Sequence, residues 1–227
     1  MRYGLAVLLL CAAPMASAAA QTGTPAMPQD DAEQARAGKI VDGITKMKAG
    51  DAAGAIAVLD PVLAEYEKLY PNGDSRVYCA GDAPLPVPSK TAITENWCFA
   101  MWAKGFALVD LNRIDEALPF VARASAMMPE RAQFAAELGY IHQAQKHWQL
   151  SIDSYREAER RALRMTDEKD RKFELRRAYF GIGYNQIELG QLDQAEANLK
   201  KALEMAPDDQ KIKDELEYIR QQRAKKS

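Results

Sequence analysis

The side chains that could do metal chemistry are few and poorly spaced. His142 and His147 are the only histidines of the chain. Five residues apart on a helix they would lie on different faces, and a turn is expected between them. No acidic residue stands at helical spacing from either histidine in the pattern of a zinc metalloprotease. The sequence therefore predicts no metal site and no cofactor, and His142 is expected to pack inside the fold.

Catalytic motifs are equally lacking. The chain has no glycine-rich phosphate loop, no strand-to-helix turn carrying a nucleophile and no Cys-x-x-Cys pair. Its many carboxylates alternate with basic residues, as in Glu157, Glu159, Arg160 and Arg161. Such mixed-charge runs are typical of a solvated helix face. We therefore expect a protein that is not an enzyme.

The first twenty residues have the pattern of a secretory signal peptide. Arg2 is the only charge before Asp30, and an apolar run follows it from residue 5 to residue 13. Small residues then offer cleavage after Ala18 or Ala20. The apolar run is shorter than a membrane-spanning helix requires, so an uncleaved anchor is the less favoured alternative. The sequence predicts export to the periplasm, with no membrane insertion after cleavage.

Charge argues against a nucleic-acid partner. Cleavage would remove one basic residue and no acidic residue, leaving 29 basic against 32 acidic side chains. Binding to phosphates needs a basic excess, and this chain lacks it.

Two cysteines, Cys79 and Cys98, would remain after cleavage. An even number of cysteines in an oxidising compartment predicts a disulfide, and two buried free thiols are the alternative. Closing that loop would stabilise the fold by about 3 kcal/mol.

Local composition divides the chain into a leader, a helical body and one insertion. Residues 21–31 have the composition of a flexible leader. Nearly everything after Ala32 is rich in helix formers. Residues 71–91 are crowded with proline and glycine and predict a long loop. No segment alternates polar and apolar residues for long enough to predict a strand, so we expect no sheet.

An internal repeat is the strongest signal. Four segments begin with a glycine, followed by a small or slender residue twelve positions later and another after seven more; two of them add a proline after five more. The sets are Gly43, Ala55, Val62; Gly105, Ala117, Ala124, Pro129; Gly139, Ser151, Ala158; and Gly183, Ala195, Ala202, Pro207. Adjacent sets at Gly105 and Gly139 give a period of 34 residues.

The spacing has a physical explanation in pairs of crossing helices. Backbones approach closely where one helix carries glycine and its partner carries alanine. Turn residues such as Gly50 and Gly190 lie between the two helices. A single hairpin cannot bury its apolar face, whereas a stack of hairpins can.

This pattern resembles the tetratricopeptide-repeat family, in an exported bacterial member. The last repeat is the fullest match, with Tyr179, Ile182, Gly183, Gly190, Ala195, Leu199, Ala202 and Pro207. The resemblance implies an all-α, right-handed α-solenoid of about four helical hairpins plus a capping helix. The repeats fall at 32–69, 98–131, 132–165 and 176–209, with an insertion at 70–97, a helix extension at 166–175 and the capping helix and tail at 210–227. Lys146 departs from the family, which favours glycine at that turn.

The resemblance also implies a ligand site. In this family the first helix of each hairpin lines the concave side, and the ligand-facing positions form one stripe. Here the stripe is mostly apolar and aromatic, which differs from the polar stripe of members that grip a carboxylate. The candidate groove residues are Trp102, Phe106, Tyr140, Arg177, Phe180 and Tyr184. We expect Phe106 and Tyr140 to be neighbours, and Arg177 is the candidate cation.

These features predict a non-catalytic periplasmic adaptor or scaffold that binds a partner peptide or helix in its concave groove, in assembly of cell-envelope proteins. The alternative is a structural or regulatory subunit of a larger envelope complex. It would bind through its convex face, with the groove plugged by the loop at 80–90. The partner is in either case a protein or peptide, and the oligomeric state is left open.

Overall fold

The computed structural model describes residues 31–71, 75–81 and 89–225. The predicted signal peptide at 1–20, its cleavage after Ala18 or Ala20, and the leader up to residue 30 lie outside the described residues. So do residues 82–88, which make up most of the loop predicted to plug the groove.

The described chain is built from helices joined by short loops. In chain order they are α1 (Asp31–Lys48), α2 (Ala52–Leu69), α3 (Asn96–Asp110), α4 (Ile114–Met127), α5 (Ala132–Ala144), α6 (Trp148–Ala162), α7 (Glu168–Glu188), α8 (Leu192–Met205) and α9 (Gln210–Ala224). Consecutive helices pair as hairpins, and each hairpin packs on the next. The predicted all-α solenoid is therefore confirmed. Within the described ranges, no helix is long and apolar enough to cross a membrane.

The four hairpins make the same turn. Each has one residue with left-handed φ: Gly50 at 82°, Asn112 at 59°, Lys146 at 60° and Gly190 at 72°. The following N–H closes the turn on a carbonyl five residues back, as when Gln191 donates to Gln186 at 2.8 Å. Lys146 keeps this geometry despite its side chain, which normally disfavours it.

Glycine marks the helix crossing in every hairpin. A Cβ added to Gly183 would lie 2.8 Å from Leu199 Cγ and 3.2 Å from the Ala195 carbonyl oxygen. Gly43, Gly105 and Gly139 stand in the same relation to the residue 16 positions further on. Only glycine allows the two helices to approach this closely.

The insertion contains a small sheet, so the prediction of no sheet was wrong. Strand β1 (Val77–Ala80) pairs in parallel with β2 (Thr91–Thr94), Val77 opposite Thr91. Four residues are too few to show a period-two pattern, and proline and glycine crowd the segment between the strands. A disulfide joins Cys79 on β1 to Cys98 on α3. Both cysteines are completely buried.

A single carboxylate ties the insertion to the first hairpin. Glu33, in the first turn of α1, accepts hydrogen bonds from Tyr66 Oη at 2.6 Å, Thr94 Oγ1 at 2.8 Å, Asn96 Nδ2 at 2.8 Å and Arg36 Nε at 2.9 Å. Burial alone would raise the pKa of Glu33, but these donors lower it. The carboxylate thus connects α1, α2, β2 and α3, and we call this group the Glu33 cluster.

Candidate functional site

We call the surface formed by α3, α5, α7 and α9 the first-helix face. The first three are the first helices of successive hairpins, and α9 occupies the equivalent position after the last hairpin. Each of them contacts the next member of the series along the chain. The predicted aromatic stripe lies on the first three.

Trp102 belongs to the core and does not reach the surface. Only 3% of it is exposed. Its ring stacks on Phe134 with centroids 6.1 Å apart and meets the edge of Phe99 at 6.2 Å. The sequence analysis placed Trp102 in the groove because a local pattern does not reveal its packing partner. That partner, Phe134, lies in the next hairpin, 32 residues away.

Phe106 and Tyr140 are half-buried on neighbouring helices. Phe106 packs beside Trp102, with ring centroids 6.1 Å apart, on the core of the first two hairpins. Tyr140 packs instead on a separate cluster that includes Leu108 and Ile141. Both rings are described, and they do not form a ring pair with each other. The two rings therefore rest on different clusters of the core.

Phe180 and Tyr184 make up the aromatic part of the stripe on α7. Both are half-buried, and their ring centroids lie 6.4 Å apart. They are one turn apart on α7, which brings them onto one face.

Arg177 is held within the fold. Its guanidinium lies 2.8 Å from a Glu137 carboxylate oxygen and 3.5 Å from one of Glu174. The three side chains are at most 15% exposed. Burial opposes the charge on Arg177, but the two carboxylates more than offset this and raise its pKa. The predicted candidate cation is thus neutralised by residues of this chain, one of them 40 positions away.

Negative charge remains on the first-helix face beside this ion pair. Burial raises the pKa of Asp110, and the Glu137 carboxylate raises it further. Burial also raises the pKa of Tyr140, again with Glu137 and Asp110 contributing. Both shifts report an environment in which additional negative charge is disfavoured.

The stripe continues onto α9, which the sequence analysis treated only as a cap. Asp214, Tyr218 and Gln221 stand 34 residues after Phe180, Tyr184 and Ile187. The 34-residue period was the signal that could have revealed them. The opposite side of α9 is buried through Ile212, Leu216 and Ile219, which supplies the predicted capping.

A cavity of about 370 Å³ opens between α7 and α9, and we call it the α7–α9 cavity. It is lined by Tyr184, Ile187, Glu188, Asp214, Glu215, Glu217, Tyr218 and Gln221. Four of these residues are acidic and none is basic.

A larger cavity, of about 580 Å³, lies between the start of α7 and the end of α8. Lys169, Lys172 and Arg176 line it. Arg176 pairs with Asp209 at 2.7 Å in a partly buried ion pair, and Lys172 lies 2.7 Å from Glu168 in an exposed, weaker pair. Phe173 forms part of its wall and is 39% exposed.

The two histidines come closer than their sequence spacing suggested. Because α5 ends between them, their ring centroids are 6.3 Å apart. Burial lowers the pKa of His142, and the neighbouring His147 lowers it further, while an interaction with the acceptor oxygen of the Gln145 side chain opposes the shift. Among the residues that the structure describes, no group of three or more His, Cys, Asp or Glu side chains is placed to hold a metal ion.

The stacked hairpins define an α-solenoid. Residues 177–209 match the family model described as tetratricopeptide repeat. The chain therefore carries a tetratricopeptide repeat in α7 and α8, and its described helices fold as an array of that type.

Solved structures agree on the fold. The chain is similar to Pseudomonas aeruginosa PilF, with a TM-score of 0.61 at 15% identity, covering 85% of this chain and 71% of that one. It is similar to the structure named MamA MSR-1 C2, with a TM-score of 0.56 at 17% identity, covering 84% and 87%. It is also similar to the first TPR domain of Spaghetti (RPAP3) bound to the HSP90 peptide SRMEEVD, with a TM-score of 0.51 at 17% identity, covering 58% and 97%. No curated protein matches the chain in sequence, and none of these comparisons indicates a catalytic family.

Proposed function

We propose that this protein is a non-catalytic adaptor that docks an extended peptide or a helix of a partner protein on its concave, first-helix face. The observation that carries the proposal is the column of half-exposed aromatic rings formed by Phe106, Tyr140, Tyr184 and Tyr218. Each ring comes from a different helix of that face. Rigid aromatic side chains give a large contact area for little entropy cost, which suits them to anchor a partner.

The site of action follows from the amino-terminal pattern. A cleavable signal peptide would deliver the protein to the periplasm, where the Cys79–Cys98 disulfide is stable. Assembly of cell-envelope proteins is the process we propose there. The peptide SRMEEVD on the Spaghetti domain is a precedent for peptide docking on this fold. The acidic surroundings here favour a partner of different charge.

The test compares two pairs of truncations. Phe106→Ala with Tyr140→Ala removes two aromatic rings from the first-helix face. The control pair, Leu150→Ala with Leu163→Ala, removes exposed apolar groups from α6 and its end, where both side chains are more than half exposed. Each protein is used to capture partners from a periplasmic extract, and its helicity is measured by circular dichroism. We expect loss of capture in the first pair alone, with helicity preserved in both.

The alternative function has its own observation. Leu150, Leu163 and Phe173 are large apolar side chains that are 52%, 59% and 39% exposed, and none of them lies in the aromatic column. Leu150 and Leu163 lie on α6 and at its end, outside the first-helix face, and would supply the apolar contacts of an assembly docked on the convex side. Loss of capture in the Leu150/Leu163 pair, with capture intact in the Phe106/Tyr140 pair, would establish that alternative and contradict our proposal.

A further inference from the structure

We propose that the α7–α9 cavity selects partners that present a lysine or arginine side chain. This inference rests on the proposed function, because it names the chemistry of the segment that the first-helix face would bind.

The cavity combines an aromatic wall with an acidic rim. Tyr184 and Ile187 come from α7, and Tyr218 comes from α9 at the equivalent repeat position. Glu188, at the end of α7, and Asp214, on the first turns of α9, place carboxylates on the two sides. A long basic side chain fits this arrangement, because its aliphatic stem can pack on the rings while its charge reaches the carboxylates. A cation near the face of a tyrosine ring gains further attraction.

The charge balance around the cavity supports the same partner. Asp214 accepts a hydrogen bond from the neutral amide of Gln210 at 2.8 Å, so its charge is not cancelled there. Glu217 pairs with Arg220 at 3.1 Å, but both side chains are more than half exposed, and such pairs are weak. Further along the face, Asp110 at the end of α3 places another exposed carboxylate. A cationic segment would therefore meet carboxylates on α3, α7 and α9.

A size argument points to a side chain rather than a folded surface. The cavity of about 370 Å³ is large enough for one or two side chains, at the lower end of the range of small-ligand sites. A partner that spans the face would place one basic residue here and rest its apolar residues on Tyr140 and Phe106.

The experiment uses three fluorescent peptides of about nine residues, alternating leucine with lysine, with glutamine or with glutamate. Such peptides span about 30 Å when extended and differ mainly in the charge of their polar residues. Binding to the mature protein is measured by fluorescence anisotropy at low and at high salt. We expect the lysine peptide to bind most tightly, the glutamate peptide least, and the difference to shrink at high salt.

Two variants of equal charge change locate the effect. Glu188→Gln with Asp214→Asn neutralises the rim of the cavity and keeps the acceptor for Gln210. Glu204→Gln with Asp208→Asn neutralises two exposed carboxylates outside the cavity. We expect the first pair to weaken the lysine peptide about tenfold, leaving the glutamine peptide unchanged, and the second pair to change either peptide less than twofold.

The outcomes separate this inference from the proposed function. If all three peptides bind equally and lose affinity with Phe106→Ala and Tyr140→Ala, the face binds peptides but the cavity does not select charge, and the inference is wrong. Tightest binding of the glutamate peptide, or equal loss in both charge variants, also overturns it. Failure of every peptide to bind contradicts the inference and removes support from the peptide-docking function as well.

Discussion

Gly183→Leu is predicted to be among the most damaging single substitutions in the array. The new Cβ would lie 2.8 Å from Leu199 Cγ, closer than two carbon atoms can pack, and 3.2 Å from a backbone oxygen of α8. Rotation of Leu199 cannot relieve the contact with the backbone, so α7 and α8 must move apart. Overpacking of this kind costs about 1–3 kcal/mol.

Helix propensity opposes this cost and has to be subtracted. Replacing glycine by leucine within a helix gains about 0.8 kcal/mol. Gly38→Leu is the matched control, because Gly38 lies in α1, is exposed and would have nothing within 4 Å of a new Cβ. The control should be neutral or slightly stabilising. The difference in unfolding free energy between the two variants therefore isolates the cost of overpacking at the helix crossing.

The assay is thermal unfolding followed by circular dichroism on the parent and both variants. A mid-range overpacking cost of about 2 kcal/mol, less the propensity gain, leaves a net loss of about 1 kcal/mol, which lowers the melting temperature of a chain of this length by roughly 2–4 °C. A Gly183→Leu protein that melts like the parent, or a Gly38→Leu protein that loses as much, would refute the assignment of the crossing.

Four further predictions follow from local contacts. Lys146→Gly should raise stability by about 1 kcal/mol by relieving a left-handed residue, while Lys146→Ala, measured alongside by urea unfolding, should not. Replacing Cys79 and Cys98 by serine should cost about 3 kcal/mol, and the non-reduced parent should be two hydrogens lighter than the reduced protein by mass spectrometry. Glu33→Gln should cost about 1–3 kcal/mol at neutral pH and remove the part of acid unfolding that occurs below the ordinary carboxyl pKa of 4.5, because the folded pKa is lower and the unfolded chain takes up the proton first. His142 also has a lowered pKa, so its contribution is lost as pH falls below the ordinary histidine pKa of 6.5, and His142→Gln should flatten the fall in melting temperature that begins there.

The sequence predicted the helical array because its main signal is local and periodic. The glycine at each crossing faces the residue 16 positions later, and both lie within one repeat of 34. Turn geometry follows similarly from Gly50 and Gly190. Lys146 shows that the fold imposes the turn even where the residue does not favour it.

Features that depend on distant partners were not predicted. Arg177 looks like a groove cation until Glu137 is placed beside it, and Trp102 looks like a groove aromatic until Phe134 covers it. The strands at 77–80 and 91–94 carry too few residues for a pattern, and they form where the insertion packs on the first two hairpins. The 34-residue period could have predicted the position of Asp214 on α9. It was missed because α9 was interpreted only as a capping helix.

The Glu33 cluster limits where a duplicated repeat could be inserted in the array. Its donors come from α2, β2 and α3, so the first hairpin, the insertion and the start of the second hairpin interlock around a group that no later hairpin repeats. A copied 34-residue unit placed among them would separate the carboxylate from its donors. α9 matches the 34-residue spacing of a first helix. A unit inserted between the first two hairpins would therefore break the Glu33 cluster, whereas a unit joined after α9 would leave it intact.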